Sequence, residues 1–108
     1  MLRRITKHSE YLEFGSPDKF LRSDHFYAVV LYSPCEFALG ITIGKKIGKA
    51  HVRNLLKRRI KAWMQLRSQA LPLGFKVNLI ARPGAGGLAW KELCEELDSV
   101  AVQLVQSA

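Results

Sequence analysis

The chain has 108 residues, of which 17 are Lys or Arg and 9 are Asp or Glu, so its formal net charge is +8. This length suits one domain, and a hydrophobic content of 48% is enough to form one core. A disordered basic tail and a multidomain enzyme are therefore excluded. We expect a single domain over residues 1–108 that binds a polyanionic partner.

The charge is unevenly distributed along the chain. Residues 1–36 hold five basic and five acidic side chains, residues 37–91 hold twelve basic and no acidic ones, and residues 92–108 hold four acidic and no basic ones. A surface built only for solubility mixes the two signs, so the acid-free stretch indicates a face that binds nucleic acid. A solvated basic face without a partner is the competing interpretation.

Simple patterns disfavour a membrane protein, a disulfide and a metal site. The longest apolar run, Phe26–Tyr32, has seven residues, and the N-terminus has no apolar signal core. A membrane-spanning helix needs roughly 20 apolar residues. Cys35 and Cys94 lie 59 positions apart, a spacing typical of neither a zinc site nor a redox pair. We expect a cytoplasmic protein with reduced cysteines and no metal held by the chain.

The first half of the chain predicts a helix followed by two strands. A short helix over residues 9–14 ends at the Gly-Ser-Pro sequence that follows it. The aromatic and β-branched run Phe26–Tyr32 and the apolar run at residues 37–43 both predict strands. Only four residues separate the two runs, so we expect them to pair as an antiparallel hairpin.

The second half predicts a helix, a strand and a helix. Residues 49–68 have a helical period, with one apolar stripe facing the core and one cationic stripe facing outward. The alternating run Phe75–Ala81 predicts a strand, and residues 88–105 predict a closing helix. The expected apolar stripes consist of Val52, Leu56, Ile60 and Trp63 on the first helix, and of Trp90, Leu93, Leu97, Val100 and Leu104 on the second. The element order predicts a mixed α/β sandwich.

The stretch from residue 44 to residue 61 carries the most specific functional signal. Eight of its eighteen residues are cationic, and Gly48 lets the backbone bend close to a ligand. The free N–H groups that open the following helix suit a phosphate, and arginine can grip phosphate with two parallel donors. The candidate RNA-binding residues are Lys45, Lys46, Lys49, Arg53, Asn54, Lys57, Arg58 and Lys61.

This stretch closely resembles the signature of the protein component of bacterial ribonuclease P. In that family a Lys-Lys-x-Gly-x-Ala turn leads into a helix that carries Arg-Asn-x-x-Lys-Arg. The matching positions are Lys45, Lys46, Gly48, Ala50, Arg53, Asn54, Lys57 and Arg58. Two positions differ, because Leu55 stands where the family usually has Arg and Lys61 where it often has Arg.

The resemblance implies an α+β fold, an α/β sandwich in which a mixed sheet of about four strands packs with helices. This fold is similar to that of domain 2 of ribosomal protein S5. In the family the βαβ crossover is left-handed, against the general right-handed rule.

The resemblance also implies a cleft that binds the single-stranded leader of precursor tRNA. Unpaired bases are held by stacking on aromatic faces beside a cationic groove. Tyr11 matches the first aromatic position of the family's short N-terminal helix, whereas Gly15 stands at the second and Phe14 precedes it. The candidates for the cleft are Tyr11, Phe14 and one of the two residues Phe26 and Tyr27, and core packing is the alternative for each.

The residues favour binding over protein-borne catalysis. The acid-free region has no carboxylate to hold a divalent metal, and the three histidines, His8, His25 and His51, lie in separate elements. We therefore expect no catalytic residue in the protein. The resemblance implies the protein subunit of ribonuclease P, a ribonucleoprotein endoribonuclease that removes the 5′ leader from precursor tRNA.

In that family the catalytic centre and its Mg²⁺ belong to the RNA subunit. The implied partners are this catalytic RNA and precursor tRNA, and neither DNA nor a membrane is expected. Two alternatives remain open: a ribosomal-protein-like or chaperone-like RNA binder without a role in cleavage, and a stand-alone nuclease.

Overall fold

A computed structural model describes residues 2–106 of the chain. The strands are β1 (Leu2–Arg4), β2 (Lys19–Arg22), β3 (Phe26–Tyr32), β4 (Phe37–Thr42) and β5 (Phe75–Ala81). The helices are α1 (His8–Tyr11), α2 (Ala50–Leu66) and α3 (Trp90–Gln106). Short 3₁₀ turns lie at Leu12–Gly15, Lys45–Ile47 and Ala85–Gly87. The helix predicted at residues 9–14 is thus α1 continued by a 3₁₀ turn.

The five strands form one mixed sheet in the order β1-β4-β5-β3-β2. β4 is parallel to both β1 and β5, whereas β3 is antiparallel to both β5 and β2. Parallel neighbours need a crossover connection, and α2 makes the one between β4 and β5. The α+β class and the mixed sheet are confirmed, with five strands instead of about four. The hand of the crossover stays a prediction from the family resemblance.

β3 and β4 do not form the predicted hairpin, because β5 lies between them. The connection at residues 33–36 spans two strand spacings of about 4.8 Å each, a distance that four residues can reach. It is tied to the start of β5, since the Ser33 N–H donates to the Gly74 carbonyl at 2.9 Å and the Gly74 N–H donates to the Glu36 carbonyl at 2.6 Å. A short loop limits the distance between strand ends and does not determine which strand fills the space between them.

β1 and β2 were not predicted because neither has the pattern of a core strand. They contain three and four residues, and both carry charged side chains next to apolar ones. Each is an edge strand that relies on a longer neighbour for its hydrogen bonds. No helix within residues 2–106 is long and apolar enough to cross a membrane.

α2 and α3 pack on one face of the sheet and form the main core with it. The buried members of the predicted helix stripes are Leu56, Ile60, Trp63, Leu93, Leu97, Val100 and Leu104. Val52 is half-buried, and Trp90 is exposed at the first residue of α3, so it does not belong to the core as predicted. The helical period therefore identified the inner face of each helix, except at the start of α3.

The opposite face of the sheet, here called the open face, is partly covered by residues 8–15. At its edge the Tyr11 hydroxyl lies where β1 and β4 separate. It donates to the Ile5 carbonyl at 3.2 Å and accepts from the Ile41 N–H at 3.0 Å. The ring packs on Gly40, where a Cβ would lie 2.8 Å from a ring carbon. Only glycine at this position lets Tyr11 bridge the two strands.

We predict that Tyr11→Phe lowers the free energy of unfolding by about 1–2 kcal/mol, because the Ile5 carbonyl and the Ile41 N–H, on two buried residues, lose their bond to the hydroxyl. Urea unfolding followed by circular dichroism measures the change. Tyr32→Phe is the matched control, since Tyr32 is exposed. An equal change in both variants would contradict the bridging role of Tyr11.

Candidate nucleic-acid interface

One side of α2 and of the turn before it displays cations without any carboxylate. We call the α2 surface the set of eight predicted RNA-binding residues: Lys45, Lys46, Lys49, Arg53, Asn54, Lys57, Arg58 and Lys61. All are exposed except Arg53, which is half-buried because its Nε donates to the Gly48 carbonyl at 3.1 Å. The prediction that α2 has an apolar inner stripe and a cationic outer stripe is confirmed.

The α2 surface is not neutralised by the protein. Among residues 2–106 no ion pair involves any of its members. The guanidinium of Arg4 lowers the pKa of Lys61, with smaller contributions from desolvation and from Lys57. Cations held this close repel one another, and an anion bound among them would relieve the repulsion.

Arg4 extends the cationic region from α2 onto β1. It pairs in register with Leu39 of β4, a residue of the main core, so both lie on the side of the sheet that faces the helices. The Nε of Arg4 is buried and has no hydrogen-bond partner within the described part of the chain. A phosphate oxygen would be a suitable acceptor for this donor. Sequence reasoning missed Arg4 because only the sheet brings it next to α2.

The start of α2 differs from the start of α3 in its charge. No side chain caps α2, and its first turn contains no acidic residue. In α3, by contrast, Glu92 lies in the first turn and accepts from the Ala89 N–H at 2.9 Å. Because a helix N-terminus is partly positive, cations there are unfavourable and a bound anion is favourable. The start of α2 is therefore arranged to receive an anion.

The open face carries a second candidate surface, which we call the cleft. Phe20 of β2 is 55% exposed, and its ring centroid lies 5.3 Å from that of Tyr27 on β3. The guanidinium of Arg82 lies 4.8 Å from the centre of the Tyr27 ring. On the neighbouring strands, the Thr42 hydroxyl donates to the Asn78 Oδ1 at 2.8 Å. An exposed ring and a half-buried ring beside a guanidinium form a surface that suits stacked bases.

The structure retains two of the four aromatics predicted for the cleft. Tyr11 and Tyr27 are half-buried on the open face. Phe26 is 1% exposed in the main core, so of the two alternatives Phe26 is wrong and Tyr27 is the residue on the open face. Consecutive residues of a strand point to opposite faces, so Tyr27 reaches the open face and Phe26 does not. Phe14 is also buried, at 8% exposure, which corrects its prediction in favour of core packing.

Phe20 and Arg82 are the cleft residues that sequence reasoning missed. Both lie beside Tyr27 only because β2 and β5 flank β3 in the sheet. A signal for Phe20 was present, since it is a large aromatic residue between charged neighbours in a short segment. Until the pairing of β2 with β3 is known, this pattern does not show on which face of the sheet the Phe20 ring lies.

Ion pairs hold residues 8–15 against the open face. Glu10 contacts Arg3 and, at 2.9 Å, the Lys76 Nζ. Glu13 contacts Lys76 at 2.8 Å, and Glu36 contacts Arg3 at 2.8 Å. Hydrogen bonding from Arg3 is the main reason that the pKa of Glu10 is lowered to about 2. Three of the acids in residues 1–36 are thus neutralised within the fold, whereas the cations of the α2 surface are not.

The fold and these two surfaces define a small α+β domain suited to nucleic acid. A family model described as Ribonuclease P matches residues 2–105 of the chain. A protein of Enterococcus faecalis named ribonuclease P protein component is 36% identical over 101 residues, covering 90% of this chain and 84% of its own length. A protein of the same name from Geotalea uraniireducens is 29% identical over 104 residues, covering 94% of this chain and 89% of its own length.

Solved structures show the same fold. The RNase P protein of Staphylococcus aureus superposes with a TM-score of 0.80 at 22% identity, covering 94% of both chains. That of Thermotoga maritima superposes with a TM-score of 0.82 at 23% identity, covering 91% of this chain and 94% of its own. The chain belongs to the ribonuclease P protein family.

The acidic side of the pH range tests the ion pairs at residues 8–15. The folded-state pKa of Glu10 lies below its ordinary value of 4.5, so ionised Glu10 stabilises the fold above that pH, and this stability is lost as the pH falls towards 2. We predict that Glu10→Gln reduces the loss of stability between about pH 5 and pH 2 by about 1 kcal/mol, because the pair is partly exposed to solvent.

Urea unfolding at a series of pH values measures this difference. Asp24→Asn is the control, because Asp24 is an exposed acid outside the group of ion pairs. A Glu10→Gln variant with the same pH dependence as the unaltered protein would contradict the role of Glu10.

Proposed function

We propose that, as a protein component of ribonuclease P, the chain binds the catalytic RNA subunit through the α2 surface and the 5′ leader of precursor tRNA through the cleft. The α2 surface carries the proposal, since five of its seven cations match the family signature and none of the seven makes an ion pair within residues 2–106. Such a surface lowers the repulsion between two RNA molecules that must come together.

The side chains of the α2 surface divide the binding between them. Arg58 holds two phosphate oxygens through parallel donors, while the lysines act as point charges along the RNA backbone. Asn54 is exposed among them and contacts a ribose hydroxyl or a base edge, because its amide both donates and accepts. Arg53 holds the Gly48 carbonyl and so also stabilises the turn before α2.

The cleft binds the leader by stacking. Each stacked base contributes about 1–3 kcal/mol, and every base has an aromatic face, so Phe20 and Tyr27 accept many leader sequences. Arg82 places a positive charge beside these rings, where it attracts the phosphates of the same strand. Tyr11 lies on the open face and adds its ring to the cleft.

Cleavage itself belongs to the RNA subunit in this proposal, with Mg²⁺ bound there. Residues 2–106 bring together no group of three or more His, Cys, Asp and Glu side chains that could hold a metal ion. The three histidines lie on separate elements, and His25 is engaged with Glu96. The site of action is the cytoplasm, where a bacterium matures its tRNA.

We predict that Lys57→Ala weakens binding of the RNA subunit. Affinity also falls less steeply with salt, by about one unit in the slope of log affinity against log salt, since one phosphate contact is lost. Affinity measured over a series of salt concentrations gives the slope. Lys91→Ala is the control, because Lys91 is exposed on α3, outside the α2 surface. An unchanged slope for Lys57→Ala would remove this residue from the interface.

Processing of precursor tRNA at low Mg²⁺ tests the function as a whole. We expect the catalytic RNA to cleave faster, or to bind its substrate more tightly, when the protein is added, because the protein lowers RNA repulsion and holds the leader. No gain would favour an RNA binder without a role in cleavage. Cleavage by the protein in the absence of RNA would favour a stand-alone nuclease.

A further inference from the structure

We propose that Glu96 of α3 is a positioning residue for the cleft, one that orders the leader-binding rings without touching the leader. This inference rests on the leader-binding function proposed above. Glu96 lies on a helix that packs against the face of the sheet opposite to the cleft. Its side chain reaches the turn between β2 and β3, at residues 23–25, and that turn leads to the cleft.

The carboxylate of Glu96 receives three donors from this turn. Its Oε2 accepts from the Ser23 hydroxyl and, at 2.7 Å, from the His25 N–H. Its Oε1 lies 2.8 Å from the His25 Nδ1. Burial raises the pKa of Glu96, but the hydrogen bonds from Ser23 and His25 outweigh it and hold the pKa below its usual value. Because an ionised carboxylate only accepts hydrogen bonds, His25 carries a proton on Nδ1.

The same turn holds Arg82 in place. The Ser23 carbonyl accepts from the Arg82 Nη1, and the His25 carbonyl accepts from the Arg82 N–H at 2.9 Å. The guanidinium is thereby kept 4.8 Å from the centre of the Tyr27 ring, which lies 5.3 Å from the ring of Phe20. A continuous set of contacts thus connects α3 to the stacking rings.

The loop after β5 extends these contacts to the start of α2. The His25 ring packs on Gly84, where a Cβ would lie 3.2 Å from a ring carbon and where φ is +94°. Two residues further on, a Cβ at Gly86 would lie 2.7 Å from a methyl of Val52 and 3.4 Å from the Ile47 carbonyl. The loop therefore lies between the wall of the cleft and the turn that precedes α2.

Glu96→Gln tests the positioning role with little change in shape. Glutamine has one carbonyl oxygen, and its NH₂ group would face a donor, so at least one of the three hydrogen bonds is lost. Glu95→Gln is the matched control, because it removes the same charge from the adjacent, exposed position of α3. Both variants are assembled with the catalytic RNA, and the ratio of affinities for precursor tRNA with its leader and for mature tRNA without one is measured.

We expect Glu96→Gln to lower this leader-dependent ratio by about fivefold, the size of the net contribution of one ordinary hydrogen bond. The affinity for mature tRNA and for the RNA subunit stays unchanged, and Glu95→Gln has no effect. If Glu96 acts through Arg82, adding Glu96→Gln to Arg82→Ala lowers the ratio no further than Arg82→Ala alone.

Three results would overturn the inference. An unchanged ratio in Glu96→Gln would show that the cleft does not depend on this carboxylate. A parallel loss of affinity for the RNA subunit, the leader and mature tRNA would show that Glu96 is only structural. If the holoenzyme with the unaltered protein shows no preference for the leader, the proposed leader binding itself is overturned. This result differs from the other two because it is seen without any substitution.

Discussion

The parallel pairing of β4 with β5 determines where both candidate RNA surfaces lie. Parallel neighbours need a crossover, and the crossover here is α2, so the basic turn and helix must start where β4 ends. Since β3 pairs with the other edge of β5, the same pairing leaves β5 between β4 and β3. The carboxyl end of β5 is thereby brought beside β3, and Arg82 meets Tyr27 there. One strand pairing thus supports a cationic helix and an aromatic cleft.

The cations of α2 repel one another and lower the stability of the fold, but packing of the core outweighs this repulsion. Arg53, Lys57 and Lys61 follow one another at a spacing of four residues, and each like-charged pair destabilises a helix by about 0.2–0.5 kcal/mol. On the inner face of α2, each fully buried apolar side chain contributes about 1.5–3 kcal/mol. Because Leu56 and Ile60 are buried there, packing outweighs the repulsion and α2 forms without an anion.

The sequence predicted those elements whose signal is local. α2 and α3 show a helical period, and β5 was predicted at its observed bounds of Phe75–Ala81. The insertion of β5 between β3 and β4 was missed, because a non-local pairing leaves no periodic trace in either strand. The edge strands β1 and β2 are too short to show a pattern of their own.

The same distinction applies to the candidate surfaces. The residues of the α2 surface can be named from the sequence because one turn and one helix contain all of them, whereas Arg4 lies next to them only through the sheet. The cleft draws on β2, β3 and β5 and on residues 8–15, so its members become neighbours only in the folded chain. Phe20 and Arg82 were therefore absent from the prediction, and Phe26 was included because sequence alone did not determine which face of β3 lies inward.

The two outermost strands of the sheet have a consequence for how this protein meets other molecules. β1 and β2 are only three and four residues long, and they carry Arg3, Arg4, Lys19 and Arg22. Short, charged edges are poor templates for the backbone of another polypeptide, so they protect a sheet from aggregation and strand exchange. Partners are therefore recognised by side chains and not by strand pairing. Because the edges are positively charged, they do not repel a partner whose backbone is a chain of phosphates.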